Sequence, residues 1–180
     1  MTVTLETDRL LLRPPIAADF EAWAAMMQDP DVTRHLGGCQ SRPLVWRSMA
    51  AMIGAWTLRG FSMFSVIDKA SGAWLGRLGP WQPEGWPGPE IGWALTRENW
   101  GRGLATEGAK ACIDWVYGQC GWTELIHCIA PQNSRSIALA ERLGSRFWRR
   151  QTLPPPFEAD EVLIFGQTRD GTSKPLLWSG

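Results

Sequence analysis

The stretch ENWGRGLATEGAKACIDWV, residues 98–116, places two glycines around an arginine immediately before a helical pattern. Apolar residues then recur at helical spacing and predict a helix over 104–117. Glycine costs roughly 1 kcal/mol in a helix interior, so a pair at the entrance favours a role of the backbone in binding. The unpaired amides of a helix N-terminus attract anions. Gly101 and Gly103 therefore predict a phosphate-binding loop, with the cation of Arg102 beside it.

Around this loop, the pattern of apolar residues predicts a sheet with helices packed on it. Short apolar runs closed by proline, glycine or turn residues are typical of strands, and spacings of three and four residues are typical of helices. The predicted strands are 9–13, 61–68, 73–81, 90–96, 124–131 and 161–168, and the predicted helices are 17–30, 43–60, 104–117 and 134–144. Meander strands followed by a strand–helix–strand unit indicate an α+β, or mixed α/β, fold. The segment 169–180 is expected to be loosely held.

Composition and charge disfavour several classes of protein. The 180 residues, 44% of them hydrophobic, suffice for one sizeable core, so we expect a single domain over 1–180. Lysine and arginine number 18 and are balanced by 18 acids, which disfavours nucleic acid or an anionic membrane surface as a partner. No apolar run approaches the roughly 18 residues of a membrane span, and the N-terminus lacks a leader pattern, so a cytoplasmic location is expected.

Cysteine, histidine and tryptophan add three expectations. The four cysteines show no paired spacing and there are two histidines, so no metal site is expected. The twelve tryptophans follow no period, and most are expected to fill the core. Trp81, Trp86, Trp93 and Trp100 are the candidates to line a pocket.

Two phosphate-binding motifs fail on their residues. A P-loop requires a lysine that this loop lacks. A dinucleotide fingerprint requires a third glycine where Thr106 stands, and an acidic residue after the next strand, where 130–132 read Ala-Pro-Gln. Taken alone, the glycines before the helix would also fit a simple turn with a helix cap.

Two segments, 92–116 and 128–147, together resemble the GNAT superfamily of acyl-CoA-dependent N-acetyltransferases. They read GWALTRENWGRGLATEGAKACIDWV and CIAPQNSRSIALAERLGSRF. The opening LETDRLLLRPPIAADFEAW, residues 5–23, resembles the branch related to ribosomal-protein N-terminal acetyltransferases. The resemblance implies a central, mostly antiparallel twisted sheet flanked by helices, with a coenzyme-binding strand–loop–helix. It also implies acetyl-CoA as co-substrate.

The glycine loop corresponds to the family's pyrophosphate loop, with the pattern [QR]-x-x-G-x-[GA]. Gly103, Leu104 and Ala105 match its second half, whereas Trp100 occupies the position of glutamine or arginine. Backbone amides make most of the family's phosphate contacts, so the resemblance tolerates this departure. The implied coenzyme-binding residues of the loop are Trp100, Gly101, Arg102, Gly103, Leu104, Ala105 and Thr106.

A second signature lies at the entrance of the later helix. The resemblance implies that Asn133 and Ser136 hold the coenzyme by hydrogen bonds. The alternative is that Asn133 or Ser134 only caps the helix. The resemblance further implies that a backbone N–H of the strand EIGWALT meets the developing oxyanion, at Trp93, Ala94 or Leu95.

Three residues are candidates for the proton transfers. Glu90, at the start of EIGWALT, is placed to act as a base directly or through water, although a solvated carboxylate at a strand end is the alternative. Glu158 is a second candidate base, because the ribosomal branch draws on a carboxylate from that region. Many family members carry a tyrosine that acts as the general acid where this chain has Ala140, and Tyr117 does not match that position. The resemblance therefore implies Ser136 as the acid.

The implied reaction is direct attack of a primary amine on the thioester of acetyl-CoA within a ternary complex. Segments 30–43 and 81–89 carry acids and tryptophans that suit an amine, either a peptide N-terminus or a small molecule. The alternative is a non-catalytic acyl-CoA-binding or sensing module, which the departures at Trp100 and Ala140 favour. A structural domain without coenzyme would leave the glycine loop without a purpose. The sequence leaves open whether the protein forms a homodimer.

Overall fold

A computed structural model describes residues 3–155, 157 and 161–171 of the chain. The described strands are β1 Leu5–Glu6, β2 Leu10–Arg13, β3 Phe64–Asp68, β4 Trp74–Trp81, β5 Glu90–Leu95, β6 Glu124–Ile129, β7 Arg146–Thr152 and β8 Glu161–Thr168. The described α-helices are α1 Phe20–Met26, α2 Pro30–Thr33, α3 Arg42–Arg59, α4 Leu104–Gln119 and α5 Ser134–Arg142. Single 3₁₀ turns cover Ala17–Asp19 and Arg97–Asn99.

The strands form one eight-stranded sheet in the order β1-β2-β3-β4-β5-β6-β8-β7. Neighbouring strands are antiparallel with the exception of β5 and β6, which are parallel. The predicted hairpin is present as β3 and β4, joined by a turn in which Gly72 donates its N–H to the carbonyl of Asp68 at 2.8 Å. The expected mixed fold with a mostly antiparallel sheet is thus confirmed.

Two main apolar clusters attach the helices to the sheet. One joins α4 to β2–β5 and contains its predicted apolar face, including Leu104, Cys112 and Val116. Gly108 allows the helix to approach β4 closely. A Cβ at this position would lie only 2.9 Å from Leu78 Cδ1. The second cluster joins α1 and α3 to the sheet through Trp23 and five methionines, namely Met26, Met27, Met49, Met52 and Met63. Burial of this much apolar surface is the main stabilising contribution to the fold.

Helix α1 is shorter than the sequence pattern predicts. It ends at Met26, and Pro30 begins α2 instead of ending the preceding helix. Proline is favoured at the first helical position because the N–H it lacks has no partner there. The side chain of Asp29 caps α2 by accepting the N–H of Asp31 at 2.8 Å.

Strand β7 was not predicted from the sequence. It reads RFWRRQT and pairs antiparallel with β8 at the edge of the sheet. An edge strand that faces solvent carries charged residues and loses the apolar alternation on which strand prediction depends. Of the C-terminal segment expected to be loosely held, residues 172–180 lie outside the described residues.

Candidate active site

The sheet opens between its two parallel strands, β5 and β6. Their register pairs Glu90 with Ile126, whose N–H donates to the carbonyl of Pro89 at 2.8 Å. Beyond this point side chains replace the ladder bonds. The N–H of Cys128 donates to Glu90 Oε1 at 3.1 Å, and the carbonyl of Ile91 receives the ring of a histidine from β6 at 2.6 Å. The strands therefore separate toward their C-terminal ends.

Glu90 lies at the point where the strands separate. Glu90 is 7% exposed to solvent, so the alternative of a solvated carboxylate at a strand end is wrong. The indole N–H of Trp86 donates to Oε2 at 2.6 Å, and the N–H of Cys128 donates to Oε1. Burial raises the pKa of Glu90, and these hydrogen bonds and the charge of Arg77 oppose the rise. A carboxylate with a raised pKa is a better proton acceptor than one in water.

A cavity of about 880 Å³ opens beside Glu90. We call one wall the helix side, contributed by α1, α3 and β4, with Trp23, Met52, Arg77 and Trp81. We call the other wall the β6 side, with Cys128, Ile129, Asn133 and Ser136. Because Glu90 belongs to β5, between β4 and β6 in the sheet, it lies between the two sides. Three of the four tryptophans named as pocket candidates line this cavity: Trp81, Trp86 and Trp93.

Asn133 and Ser136 meet at the start of α5. The side-chain oxygen of Asn133 accepts the N–H of Ser136 at 3.2 Å, so Asn133 caps the helix as the alternative interpretation predicts. The cap leaves the amide N–H groups of Asn133 available to a ligand. The indole N–H of Trp93 donates to Ser136 Oγ at 3.2 Å. Because that bond uses the hydroxyl oxygen as acceptor, the hydroxyl proton of Ser136 remains available for donation.

The backbone of Trp93 faces the gap between β5 and β6. Residues two apart in a strand direct their backbone groups to the same edge. The carbonyl of Ile91 faces β6, since it receives His127 of that strand. The N–H of Trp93, two residues later, is therefore directed into the gap, beyond the described register pair of β5 and β6 at Glu90 and Ile126.

The glycine loop has the conformation that an anion site needs. Gly101 and Gly103 have φ of 72° and 77°, a left-handed region that favours glycine. Gly103 immediately precedes the 16-residue helix α4 and gives it no side-chain cap, and a Cβ at Gly101 would meet no atom within 4 Å. The first-turn amides of α4 are thus open to a ligand. A loop of this conformation could accept the phosphate of a ligand.

Neighbouring side chains hold the loop in place. The guanidinium of Arg9 donates to the carbonyl of Arg102 at 2.9 Å and forms an ion pair with Glu107 at 2.6 Å. Arg102 itself donates to Asn99 Oδ1 at 2.6 Å. These contacts tie the loop to the segment before β2 and to the first turn of α4, so the amides of the loop are preorganised.

Trp100 replaces the family's glutamine or arginine and connects the loop to its surroundings. Its indole N–H donates to the carbonyl of Leu95, at the end of β5, at 2.8 Å. The guanidinium of Arg135, in the first turn of α5, lies 5.0 Å from the centre of its ring. Arg135 was not predicted as a site residue. It places a second cation close to the loop, where Arg102 was the one cation expected from the sequence.

His127 and Arg77 are further residues that sequence reasoning missed. Burial lowers the pKa of His127 to about 4, so its ring is neutral at pH 7. Because a carbonyl only accepts, Nδ1–H donates to Ile91, and Ser145 donates to Nε2 at 3.0 Å. The Nε2 group of Gln167 in turn donates to Ser145. The signal in the sequence was a single polar residue inside each apolar run, ELIHCI and WLGRLGPW.

Several predictions remain outside these observations. Glu158, the second candidate base, lies outside the described residues. In the described part of the chain, no group of three or more His, Cys, Asp or Glu could hold a metal ion. Every helix among the described residues is too short or too polar to span a lipid bilayer. The single domain, the cytoplasmic location and a homodimer stay predictions.

Comparison with known proteins identifies the family. Residues 9–146 match the family model described as an acetyltransferase (GNAT) domain. An uncharacterized N-acetyltransferase p20 of Bacillus licheniformis is 30% identical over 144 residues, covering 78% of this chain and 81% of the relative. The crystal structure of an acetyltransferase from Agrobacterium tumefaciens str. C58 has a TM-score of 0.81 and 30% identity, and the match covers 93% of this chain and 95% of that one.

The ribosomal branch shares the fold at lower identity. RimL, a ribosomal L7/L12 alpha-N-protein acetyltransferase solved in complex with coenzyme A, has a TM-score of 0.76 and 15% identity, with 94% of this chain and 100% of that chain covered. The likeness to RimL concerns the fold, whereas the family model and the nearer relatives carry the assignment. The chain belongs to the GNAT family of acetyltransferases, which use acetyl-CoA as the acyl donor.

Proposed function

We propose that the protein transfers the acetyl group of acetyl-CoA to a primary amine, by direct attack in a ternary complex with Glu90 as base. The observation that carries the proposal is the buried Glu90 carboxyl, whose pKa is raised and which lies between the helix side and the β6 side of the cavity. An amine on the helix side would meet this carboxyl on its way to the β6 side. A relative 30% identical is named an N-acetyltransferase, which agrees with an amine acceptor.

The coenzyme contacts follow from the open backbone groups. The first-turn amides of α4 and the glycines before it bind the pyrophosphate, and Arg102 and Arg135 add positive charge nearby. Asn133 and Ser136 hold the pantetheine end. When bound, acetyl-CoA supplies a thioester whose carbonyl carbon is open to attack. This arrangement accounts for two helix entrances placed at the edges of one gap.

Each proton transfer is assigned to a group in the cavity. Glu90 accepts the proton that the amine loses, because its two N–H donors fix the carboxylate and burial raises its pKa. The N–H of Trp93 donates to the oxygen on which negative charge develops. The hydroxyl of Ser136 donates a proton to the thiolate that leaves, and a thiolate needs only a weak acid.

Replacement of Glu90 tests the proposal. Glu90→Gln keeps the shape but cannot accept a proton, so kcat should fall by about a hundredfold while the dissociation constant of acetyl-CoA is retained. Ser136→Ala should lower kcat less, by about tenfold, because the leaving group is good. The assay is thiol release from acetyl-CoA with a panel of peptides, amino acids and polyamines. Glu141→Gln, an exposed carboxylate on α5, is the matched control.

The pH profile separates a base from a structural carboxylate. In the wild type, kcat/KM should fall as the pH drops through the pKa of Glu90, which lies above the ordinary 4.5. Protonation of the amine affects wild type and variant alike, so an acid limb that is lost in Glu90→Gln belongs to Glu90. Equal turnover in both proteins would reject Glu90 as base. Coenzyme binding without thiol release for any amine would favour the non-catalytic module.

A further inference from the structure

Arg77 is a cation in the cavity that the proposed reaction does not use. It lies on β4 with Ser65 and Ala94 as its register partners, and its guanidinium carbon is 5.8 Å from the ring centre of Trp23. No hydrogen bond or ion pair joins it to any described residue, and its Nε is buried without a partner. Burial lowers the pKa of Arg77 to about 10, which leaves it charged at pH 7.

The acids near Arg77 are engaged by other groups. Asp19 receives two hydrogen bonds from Arg13, at 2.7 and 2.8 Å, and one from Ser65 at 2.7 Å. Glu90 receives the N–H groups of Trp86 and Cys128, and burial raises its pKa. A partly buried charge that has no hydrogen-bonded partner and interacts with Glu90 only through its electric field is costly, so a position of this kind is typical of a ligand contact.

The remaining charges around the cavity also favour a ligand of negative charge. The charged residues that line it are Arg34, Arg47, Arg77, Glu90 and Glu161. Glu161 is bound to Arg150 at 3.1 Å and Arg34 to Asp31 at 2.8 Å, and both of these partners lie outside the lining. Although the whole chain has a net charge of zero, among the described residues that line the cavity two arginines remain, Arg47 and Arg77, against one acid, Glu90. Such a site attracts an anion.

We propose that Arg77 binds a carboxylate of the acceptor, so that the substrate is a small amine that also carries a carboxylate. This inference rests on the proposed function, because it places the amine of the same molecule at Glu90. A guanidinium binds a carboxylate through two parallel hydrogen bonds, which fix the orientation of the acceptor. The helix side adds Trp23 and Trp81 against the apolar part of the acceptor.

The register of the strands separates the two binding groups. Arg77 lies opposite Ala94, and Glu90 lies opposite Trp81, four residues further along β4. Four residues of strand span about 13 Å between backbones, a gap that the long side chain of Arg77 shortens. The acceptor series must therefore vary the distance from amine to carboxylate. It consists of glycine, β-alanine, 4-aminobutanoate, 6-aminohexanoate and L-phenylalanine, each compared with its primary amide.

The test compares each acid with its amide in three proteins. In the wild type at least one acid should have a kcat/KM about tenfold or more above that of its amide, equivalent to about 1.4 kcal/mol. Arg77→Met, which keeps the length without the charge, should abolish this preference, and Arg77→Lys should keep part of it. Arg142→Met, an exposed arginine of α5, is the matched control and should keep the full preference.

The outcomes separate this inference from the proposed function. Acetylation of acids and amides at equal rates in the wild type, or an acid preference that survives in Arg77→Met, would overturn the inference alone. If no amine releases thiol, the proposed function fails, and calorimetric titration of the coenzyme A-saturated protein with the same pairs still tests Arg77. Equal affinity for acid and amide there would overturn the inference. Thermal unfolding of Arg77→Met, with Arg77→Lys as second variant, shows whether the fold is retained.

Discussion

A neutral histidine keeps the two parallel strands apart. His127 takes the carbonyl of Ile91, which a regular ladder would pair with a backbone N–H of β6. Ser145 and Gln167 fix the ring from the other side. The residue is 1% exposed, and burial lowers its pKa to about 4. The shape of the gap therefore depends on a side chain that must stay unprotonated.

This pKa shift predicts a pH dependence of stability. Between about pH 6.5 and pH 4 the unfolded chain binds a proton that the folded protein does not, so the free energy of unfolding falls as the pH falls. When the pH is lowered from about 7.5 to 5, the titration of His127 should lower the free energy of unfolding by about 2 kcal/mol. His127→Gln lacks this titration, so its stability should fall less over the same range. Urea unfolding at both pH values measures the difference.

His35 provides the control, as the second of the two histidines. It is only partly buried, and His35→Gln should reproduce the pH dependence of the wild type. If His127→Gln and the wild type lose equal stability, then His127 is not held neutral by burial. The glutamine variant is expected to be less stable at every pH, because it cannot reproduce both hydrogen bonds of the ring.

Isolated polar residues that line the cavity were predicted less well than residues in a motif. Glu90, Asn133 and Ser136 could be named because a family pattern marks their positions. Arg77 and His127 could not, because an isolated polar residue in an apolar run does not show which face of the sheet it occupies. Their role depends on strands far apart in sequence, namely β4 with β5 and β5 with β6.

At the scale of elements, the start of α4 can be tested without disturbing the backbone. Substitution of Gly103 would add strain, since its φ is 77°, and would confuse loss of fold with loss of binding. Thr106 is the third residue of α4, where an acid stabilises a helix by about 0.3–1 kcal/mol. Thr106→Glu should therefore keep or raise the melting temperature of the free protein. It should weaken acetyl-CoA binding about tenfold or more by repelling phosphate.

The same helix supplies the control. Gln119→Glu adds an equal charge at the exposed last residue of α4, far from the amides of the first turn. Calorimetric titration with acetyl-CoA should give the affinity of the wild type for this variant. Unchanged affinity in Thr106→Glu would mean that the pyrophosphate does not bind at the start of α4.

The elements themselves were largely predictable because their apolar periods are strong. Helix α4 and strands β3, β4, β5 and β8 lie where the pattern places them. Strand β7 was missed because its charged sequence suits a solvent-facing edge. The short helix α2 was missed because Pro30 can either end one helix or begin the next, and only the cap by Asp29 decides between them.

At the scale of the whole molecule, the sheet consists of two parts with a single register pair between them. Strands β1 to β5 form one part and β6, β8 and β7 form the other, and Glu90 opposite Ile126 is the described register pair that joins them. The glycine loop follows β5 and the entrance of α5 follows β6. A coenzyme bound at both helix entrances would therefore connect the two parts of the sheet.

Hydrogen exchange tests this connection. At about 100 times its dissociation constant, a ligand stabilises the bound state by about 2.7 kcal/mol, so amides exposed by openings that break the site should exchange about a hundredfold more slowly. With acetyl-CoA, peptides covering 90–106 and 124–136 should both gain protection, whereas β1 and β2 should exchange as in the free protein. Protection confined to one of the two peptides would show that the coenzyme binds one part of the sheet only, and the proposed contacts of the other helix entrance would then be wrong.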